Sequence, residues 1–391
     1  MKFPTYLLLF LVANYTLAQT TTDSLTNPQN QQNAAQRLLS GNFGKAVTLG
    51  AYGEITYNQP EGDNGELDVQ RLVILMGYKF DEKTQFVTEV EIEHVEEVFV
   101  EQAFVNYAVG DNVSLRGGLM LVPMGIVNEY HEPTTFNGTE RPAVDNVIVP
   151  TTWRELGVGV TGRFPDASLG YQAYVFNGFK SAESDGDGGI TGLLSGSNGL
   201  RGGRQKGIKS TVDSPTFSSK IEYYGIPGLR LGLSGYFGRT QADDDVEAAD
   251  GADISVSMVG FDARYAKKKF SARGQIIYAS LSDTESYNLL TEQNLGSALM
   301  GYYGELAYNL LPLSAKQRLV AFARYENYDT HAGTDGALMR NDAYNRTDIT
   351  TGLSYHIARG VVIKGDYQFR DNNIENGDVD NQLNFGIGVW F

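Results

Sequence analysis

Residues 379–391 read VDNQLNFGIGVWF. Val379, Asn381, Leu383, Phe385, Ile387, Val389 and Phe391 share one parity, while Asp380, Gln382, Asn384, Gly386, Gly388 and Trp390 share the other. Period two places these sets on opposite faces of a strand. The preceding segment repeats the pattern, with Val361, Ile363, Gly365, Tyr367 and Phe369 set against Val362, Lys364, Asp366, Gln368 and Arg370. Asp68 to Phe80 sets Leu72, Ile74, Met76, Tyr78 and Phe80 against Arg71, Val73, Leu75 and Lys79. Thr84 to Glu93 sets Phe86, Val90 and Ile92 against Glu89, Glu91 and Glu93. A soluble sandwich also alternates, but its strands are nearer ~5 or 6 residues. Spans of ~10 residues with one apolar face match the tilted strands of an outer-membrane barrel.

Worked outward, the pattern predicts strands over 46–57, 68–80, 84–94, 98–109, 113–122, 153–163, 167–177, 215–224, 229–240, 253–265, 270–282, 297–309, 317–329, 345–357, 361–371 and 380–391. The fold class is therefore all-β, a transmembrane antiparallel up-and-down β-barrel of about sixteen strands. Tight turns such as Asp81-Glu82-Lys83, Gly110-Asp111-Asn112 and Ala358-Arg359-Gly360 alternate with longer loops, and only 95–97 breaks the rhythm. Short turns belong on the periplasmic side and long loops outside, which puts both ends of the barrel in the periplasm. Phe391, in parity with Val389, Ile387 and Phe385, reads as a C-terminal assembly signal. Tyr302, Tyr308, Tyr325, Tyr355, Tyr367, Phe369 and Phe391 are expected in aromatic girdles.

Composition agrees. The chain has 391 residues, among them 45 Gly, 23 Tyr and 19 Phe, a bias toward many-stranded β structure. A net charge of −16 argues against a nucleic-acid partner, which needs a basic footprint. No apolar run reaches the ~18 residues of a spanning helix. Lys2, the apolar stretch Tyr6 to Val12 and the small residue Ala18 read as a signal peptide over 1–18. The chain has no Cys, so an exported protein of this kind must be held by its hydrogen-bonded framework rather than by disulfides. Residues 19–45 are expected as a polar periplasmic N-terminal segment, with Thr20 to Gln36 mobile, and 46–391 as the barrel.

The stretch 119–162, LMLVPMGIVNEYHEPTTFNGTERPAVDNVIVPTTWRELGVGVTG, resembles porins of the phosphate-selective porin O and P type, especially versions from Bacteroidota-like bacteria. The matching features are Leu121-Val122-Pro123-Met124-Gly125, then Asn128-Glu129-Tyr130-His131-Glu132-Pro133, then Pro150-Thr151-Thr152-Trp153 with Glu155-Leu156-Gly157. The resemblance implies a sixteen-stranded, homotrimeric porin passing small solutes, with anions such as phosphate favoured through a basic interior. This chain carries no lysine ladder along its inward parity.

Inward-parity charges are mixed: Arg71, Lys79, Arg116, Arg163, Lys220, Arg230, Arg264, Lys364 and Arg370 against Glu89, Glu91, Glu93, Glu155, Glu222, Glu305, Glu326, Asp348 and Asp366. They can form a transverse field across water or pair as cross-strand salt bridges, and the two readings can coexist. Glu89, Glu91 and Glu93 sit about 7 Å apart along one face, so Arg71 or Arg116 is expected beside them. The connection 123–152 is long and restrained by Pro123, Pro133, Pro142 and Pro150, and is the candidate constriction loop. It offers Asn128, Glu129, His131, Glu132, Glu140 and Arg141, with Arg71 and Arg116 expected on the facing wall. Pore-lining or constriction candidates are thus Arg71, Glu89, Glu91, Glu93, Arg116, Asn128, Glu129, His131, Glu132, Glu140, Arg141, Glu155, Arg163, Lys364 and Arg370.

No two of His94, His131, His331 and His356 share metal-ligand spacing, and no Ser has a recognisable catalytic context. His131 between Glu129 and Glu132 reads first as a hydrogen-bonding group, and Asp185-Gly186-Asp187-Gly188-Gly189 as a solvated turn within a mobile 178–214 loop. No catalytic residue, cofactor or metal is therefore assigned. The reading is an outer-membrane porin of a Gram-negative bacterium, surrounded by lipid and passing small hydrophilic solutes or ions. The alternatives are an adhesin or secretion-associated barrel and, further off, a membrane hydrolase. The mature chain is expected to begin at Gln19. Mass spectrometry of protein taken from outer membranes checks this, and a retained Met1 to Ala18 would refute the export argument.

Overall fold

The computed structural model describes residues 28, 31–40, 47–243, 249–374 and 379–391. The expected signal peptide lies outside the described residues. The strands are β1 (Val47–Pro60), β2 (Glu66–Lys79), β3 (Thr84–Glu93), β4 (Glu97–Gly110), β5 (Val113–Leu121), β6 (Arg154–Phe164), β7 (Leu169–Phe176), β8 (Ala182–Ser184), β9 (Ile190–Gly192), β10 (Thr216–Tyr223), β11 (Leu229–Arg239), β12 (Ser255–Lys267), β13 (Phe270–Ser282), β14 (Ala298–Asn309), β15 (Arg318–Gly333), β16 (Asn345–Ala358), β17 (Val361–Asn372) and β18 (Gln382–Trp390). Helices are α1 (Ala34–Ser40), α2 (Val144–Val147) and α3 (Thr284–Thr291). All the strands except the β8–β9 hairpin form one closed antiparallel barrel of sixteen, each beside its chain neighbour.

Closure is made by β1 and β18, in register from Tyr52 opposite Trp390 to Pro60 opposite Gln382. Phe391 N donates to Ala51 O at 2.9 Å, and Ala51 N donates back to Phe391 O at 3.1 Å. The strands coincide with those predicted from alternation to within a few residues at each end. Sidedness holds too. Leu72, Ile74 and Met76 are exposed while Arg71, Val73 and Leu75 are buried. On the last hairpin, Ile363, Phe369, Phe385 and Ile387 point out, and Val362, Lys364, Asp366 and Asn384 point in. This inverts a soluble protein: the apolar face is the outside, because the outside is hydrocarbon. Outward aromatics gather near strand ends, with Tyr308, Tyr355 and Phe391 toward the short turns and Tyr302, Tyr325 and Phe369 toward the long loops.

Two expectations need correction. Thr20 to Gln36 is not mobile throughout, because α1 and the residues just before it enter the barrel mouth on the short-turn side. Ala34, Ala35 and Leu38 are buried, Leu38 lies over Gly77 of β2, and the Arg37 guanidinium stacks 4.1 Å from the Trp390 ring. A short apolar stripe within a polar segment suffices to dock it. The loop 178–214 is likewise ordered rather than mobile. Phe179, Leu194 and Leu200 are buried, and Tyr287 of α3 donates to Leu194 O at 2.9 Å. Its Gly and Ser content marks sharp turns between anchored residues. Asp185 Oδ1 accepts the N–H groups of Asp187 and Gly189, both at 2.9 Å, and so closes the β8–β9 turn on itself.

Arg placed at the outward mid-strand positions Ile74 or Leu233 should cost ~2–4 kcal/mol, and at Tyr308, close to a turn, only ~0–1 kcal/mol. Reversible unfolding from lipid vesicles measures both. Equal costs at the two depths would mean that the lipid-facing band is misplaced.

Candidate functional site: the inward loop and the lumen wall

The connection 122–153 begins and ends beside itself. Val122 N donates to Trp153 O at 3.0 Å. Asn128 then clamps both roots: its amide donates to Val122 O at 2.7 Å and Trp153 O at 3.0 Å, and its Oδ1 accepts Trp153 N at 2.7 Å. From that clamp the loop crosses the barrel interior, and its polar partners are inward-facing side chains on nearly every side. Lys220 on β10 donates to Gly125 O at 2.6 Å, and Gln275 on β13 accepts Ile126 N at 2.9 Å. Arg230 on β11 donates to the Tyr130 hydroxyl at 2.8 Å. Glu305 on β14 accepts Asn137 at 2.9 Å, and Asp366 on β17 accepts Thr139 N at 2.6 Å. Asn58 on β1 donates to Glu140 at 2.9 Å.

Such close approach requires small residues on the wall. A Cβ on Gly388 would lie 2.7 Å from Pro133, and one on Gly301 would lie 2.8 Å from Ile148. Behind the roots, Trp153 stacks on Phe179 at 4.7 Å and leans on Tyr236 at 4.6 Å, which ties the second long loop to the first. Arg201 donates to Thr151 O at 2.6 Å, and Arg204 to Pro150 O at 2.9 Å and Thr152 O at 3.0 Å. Burial beside Arg201 and Arg154 pulls the Arg204 guanidinium down to about 9.

The charged candidates divide. Arg71 does not face the loop across water. Its Nε lies 2.7 Å from Glu54 and its Nη2 donates to His131 O at 2.6 Å, so it holds the loop to the wall. Glu91 is 3.9 Å from Arg71, whereas Glu89 is held by Gln102 at 2.9 Å; Arg116 is not their partner. Glu93, half-buried, lies across from Arg71 in the β2–β3 register. Glu155 is sealed between Trp153 Nε1 at 3.2 Å and Asn177 Nδ2 at 2.7 Å. Lys364 points inward as expected, but its Nζ sits 3.8 Å above the ring of Phe136 of the loop, not in water. Arg370 donates to Gln368 at 2.6 Å near the outer end of β17. Glu140 and the half-buried Arg141 lie on the far limb of the loop. Glu129 pairs with Lys220 at 2.9 Å, and Glu132 accepts the backbone N–H of Ala34, at the start of α1, at 2.5 Å. The inward charges are largely paired wall to wall, as in Arg264–Glu222 at 2.7 Å, Arg273–Glu305 at 2.9 Å and Arg324–Glu326 at 2.8 Å.

A polar cavity remains on one side. Gln102, Phe104, Arg116, Arg163, Tyr174 and Arg230 line its wall, Glu129 faces it from the loop, and Asn33 and Gln36 close it toward the short turns. Alternation did not reveal Glu101. At that residue the pairing steps from Glu89–Gln102 to Val90–Val100, a bulge that turns Glu101 inward beside Gln102. Two successive polar residues inside an alternating strand were the available signal.

An uncharacterized protein of Aquifex aeolicus strain VF5 is 33% identical over 356 residues, covering 84% of this chain and 76% of that one. The two chains belong to one family. No family model matches the chain. Among solved structures, an anion-selective porin from Comamonas acidovorans aligns at TM-score 0.57 with 12% identity, over 88% of this chain and 99% of the porin. A trimer form of OmpT, an outer membrane protein of Vibrio cholerae, aligns at 0.55 with 11% identity over 88% and 99%. The outer membrane channel DcaP of Acinetobacter baumannii aligns at 0.53 with 12% identity over 90% and 99%. At these identities the likeness is one of fold. With the closed sheet and its apolar exterior, it makes this member of the family a β-barrel of the Gram-negative outer membrane.

Replacing Arg71 with Met should destabilise the barrel by about 3–5 kcal/mol, because Glu54 and Glu91 would stay buried without their cation. The shift in denaturant midpoint at unchanged slope measures it. A loss below 1 kcal/mol would mean that water reaches these carboxylates.

Proposed function

We propose that the chain is a porin: a water-filled channel for passive diffusion of small hydrophilic solutes and ions, with no catalytic role. In this reading 123–152 is the constriction loop, and solutes pass beside it, along the wall formed by β4–β7, β10 and β11. The observation that carries the proposal is the cavity there, polar on the loop side and the wall side alike. A closed, loop-narrowed barrel with a hydrated lane is what diffusion through a membrane requires.

The same lane supports a preference for small anions, phosphate among them. Its carboxylates are matched by cations, Glu129 by Lys220 and Glu222 by Arg264 and, at 3.8 Å, by Arg230. Arg116 instead bonds the neutral Asn106 at 2.9 Å and the Tyr174 hydroxyl at 3.4 Å, and neither it nor Arg163 has a carboxylate within 4.0 Å among the described residues. A chain of net charge −16 thus carries a local cationic excess where solute would pass. The homotrimer implied by the resemblance belongs to the same proposal, and the trimer form of OmpT supports it among the similar folds.

Planar-bilayer recording tests the reading. Deleting 128–145 should raise single-channel conductance. Reversing one charge at ~6 Å from a permeating ion is worth about 1 kcal/mol after screening, so Arg116→Glu should shift relative permeability toward cations roughly fivefold. Unchanged conductance and reversal potential in both variants, with heat-modifiable gel mobility retained, would refute the lane beside the loop as the conducting path.

A further inference from the structure

We propose that Glu89, Glu101 and His131 form a binding site for one divalent transition-metal ion, with Zn²⁺ as the fitting case. One ligand atom from each of the three lies within 4.8 Å of those from the other two. They come from three separate places: β3, the bulge of β4 and the inward loop. The inference stands whether or not the barrel conducts solutes.

Charge is the first argument. Glu54, Glu89, Glu91 and Glu101 are all buried in one wall of the lumen. Among the described residues, Arg71 and His131 are the side chains within ion-pair distance of them, and Arg71 is committed to Glu54 at 2.7 Å. Buried carboxylates need a counter-charge or a proton. One oxygen of Glu89, Oε2, and one of Glu101, Oε1, are buried without a hydrogen-bond donor, although the other oxygen of each is satisfied. The unsatisfied oxygens belong to the side chains that converge on His131.

Orientation is the second. His131 Nδ1 lies 3.1 Å from Asn128 O, an acceptor, so the proton belongs on Nδ1. Nε2 is then left with its lone pair toward Glu101 Oε1, 3.4 Å away. Two acceptors facing each other at that distance repel, so a positive charge belongs between them, either a metal ion or a second proton on the ring. A backbone carbonyl on the far ring nitrogen is the usual outer-shell partner of a metal-bound histidine. Gln102 Nε2 donates to Glu89 at 2.9 Å, and the Tyr52 hydroxyl donates to Glu101 Oε2 at 3.0 Å, with its oxygen 2.9 Å from His131 Nε2. Each ligand therefore has a neighbour that aims it.

The bulge is the third. The bulge turns Glu101 inward and sets a second buried carboxylate beside Glu89, so the pair needs a shared counter-charge or a proton. Imidazole and carboxylate together suit Zn²⁺, whose bonds are about 2.0–2.2 Å, so the three donors need only close by small side-chain rotations. Since His131 is on the loop and both glutamates are on the wall, the ion would fasten one to the other. The site is fully buried, so loading belongs to folding, when loop and wall come together.

The test is refolding into detergent with and without ZnCl₂, followed by removal of free metal, elemental analysis and thermal unfolding. The wild-type chain should retain one Zn²⁺ and unfold at a higher temperature than the protein refolded in EDTA. Glu101→Gln and His131→Gln should each retain less than about a tenth as much, and Gln102→Leu should weaken affinity roughly 10–100-fold through the outer shell. Wild-type protein that retains no zinc would overturn the site in favour of a shared proton, and equal retention by the variants would place the metal elsewhere. Should a variant fail to fold, Co²⁺ in the wild-type chain decides, since visible bands without an imidazole contribution in its X-ray absorption would also overturn the proposal.

Discussion

The barrel depends on one condition, that no backbone N–H or C=O be left unpaired in hydrocarbon. β1 and β18 meet to satisfy it, and the exchange between Ala51 and Phe391 completes the ring at the short-turn end. Closure sets the sidedness of every other residue. Alternate side chains must meet lipid, so half of each strand is apolar, and the remaining half has to be accommodated inside.

That interior is where the energetic difficulty lies. A lumen lined by Arg71, Lys220, Arg264, Arg324 and many carboxylates could be solvated only if it stayed wide. Here the loop folds into it, and water is replaced by main-chain carbonyls and paired side chains. Arg71 shows the exchange most clearly: one guanidinium neutralises Glu54 and binds the loop through His131 O. Lys220 does the same through Glu129 and Gly125 O. These contacts cost desolvation, and their geometry fixes one position for the loop.

Among the described residues most inward charges are paired, and some of those that are not lie where a ligand could reach them. Arg116 and Arg163 border the cavity without a carboxylate partner. Glu89 and Glu101 each keep one unsatisfied buried oxygen, and their carboxylates converge with His131. The first pair faces the space that a solute would use. The second is buried where the loop meets the β3–β4 wall. The overall charge of the chain predicts neither, since most of it is spent on external loops and internal pairs.

Alternation along the sequence was enough to establish the sixteen strands, their sidedness and the order of short turns and long loops, because a period of two is enforced locally at every residue facing lipid. The length and prolines of 123–152 were enough to mark it as unusual. Only the tertiary structure decided where that loop goes and which charges meet. Arg71 faces Glu54 through the pairing of β1 with β2, and Lys364 lies under Phe136 because the loop returns across the barrel from β5. Glu101 turns inward through a single-residue bulge; Glu101-Gln102 breaks the alternation, but only the register with β3 shows that both residues face in. Contacts such as these, from 17 residues apart for Arg71–Glu54 to 228 for Lys364–Phe136, follow from strand pairing, closure and loop path, and no local pattern records them.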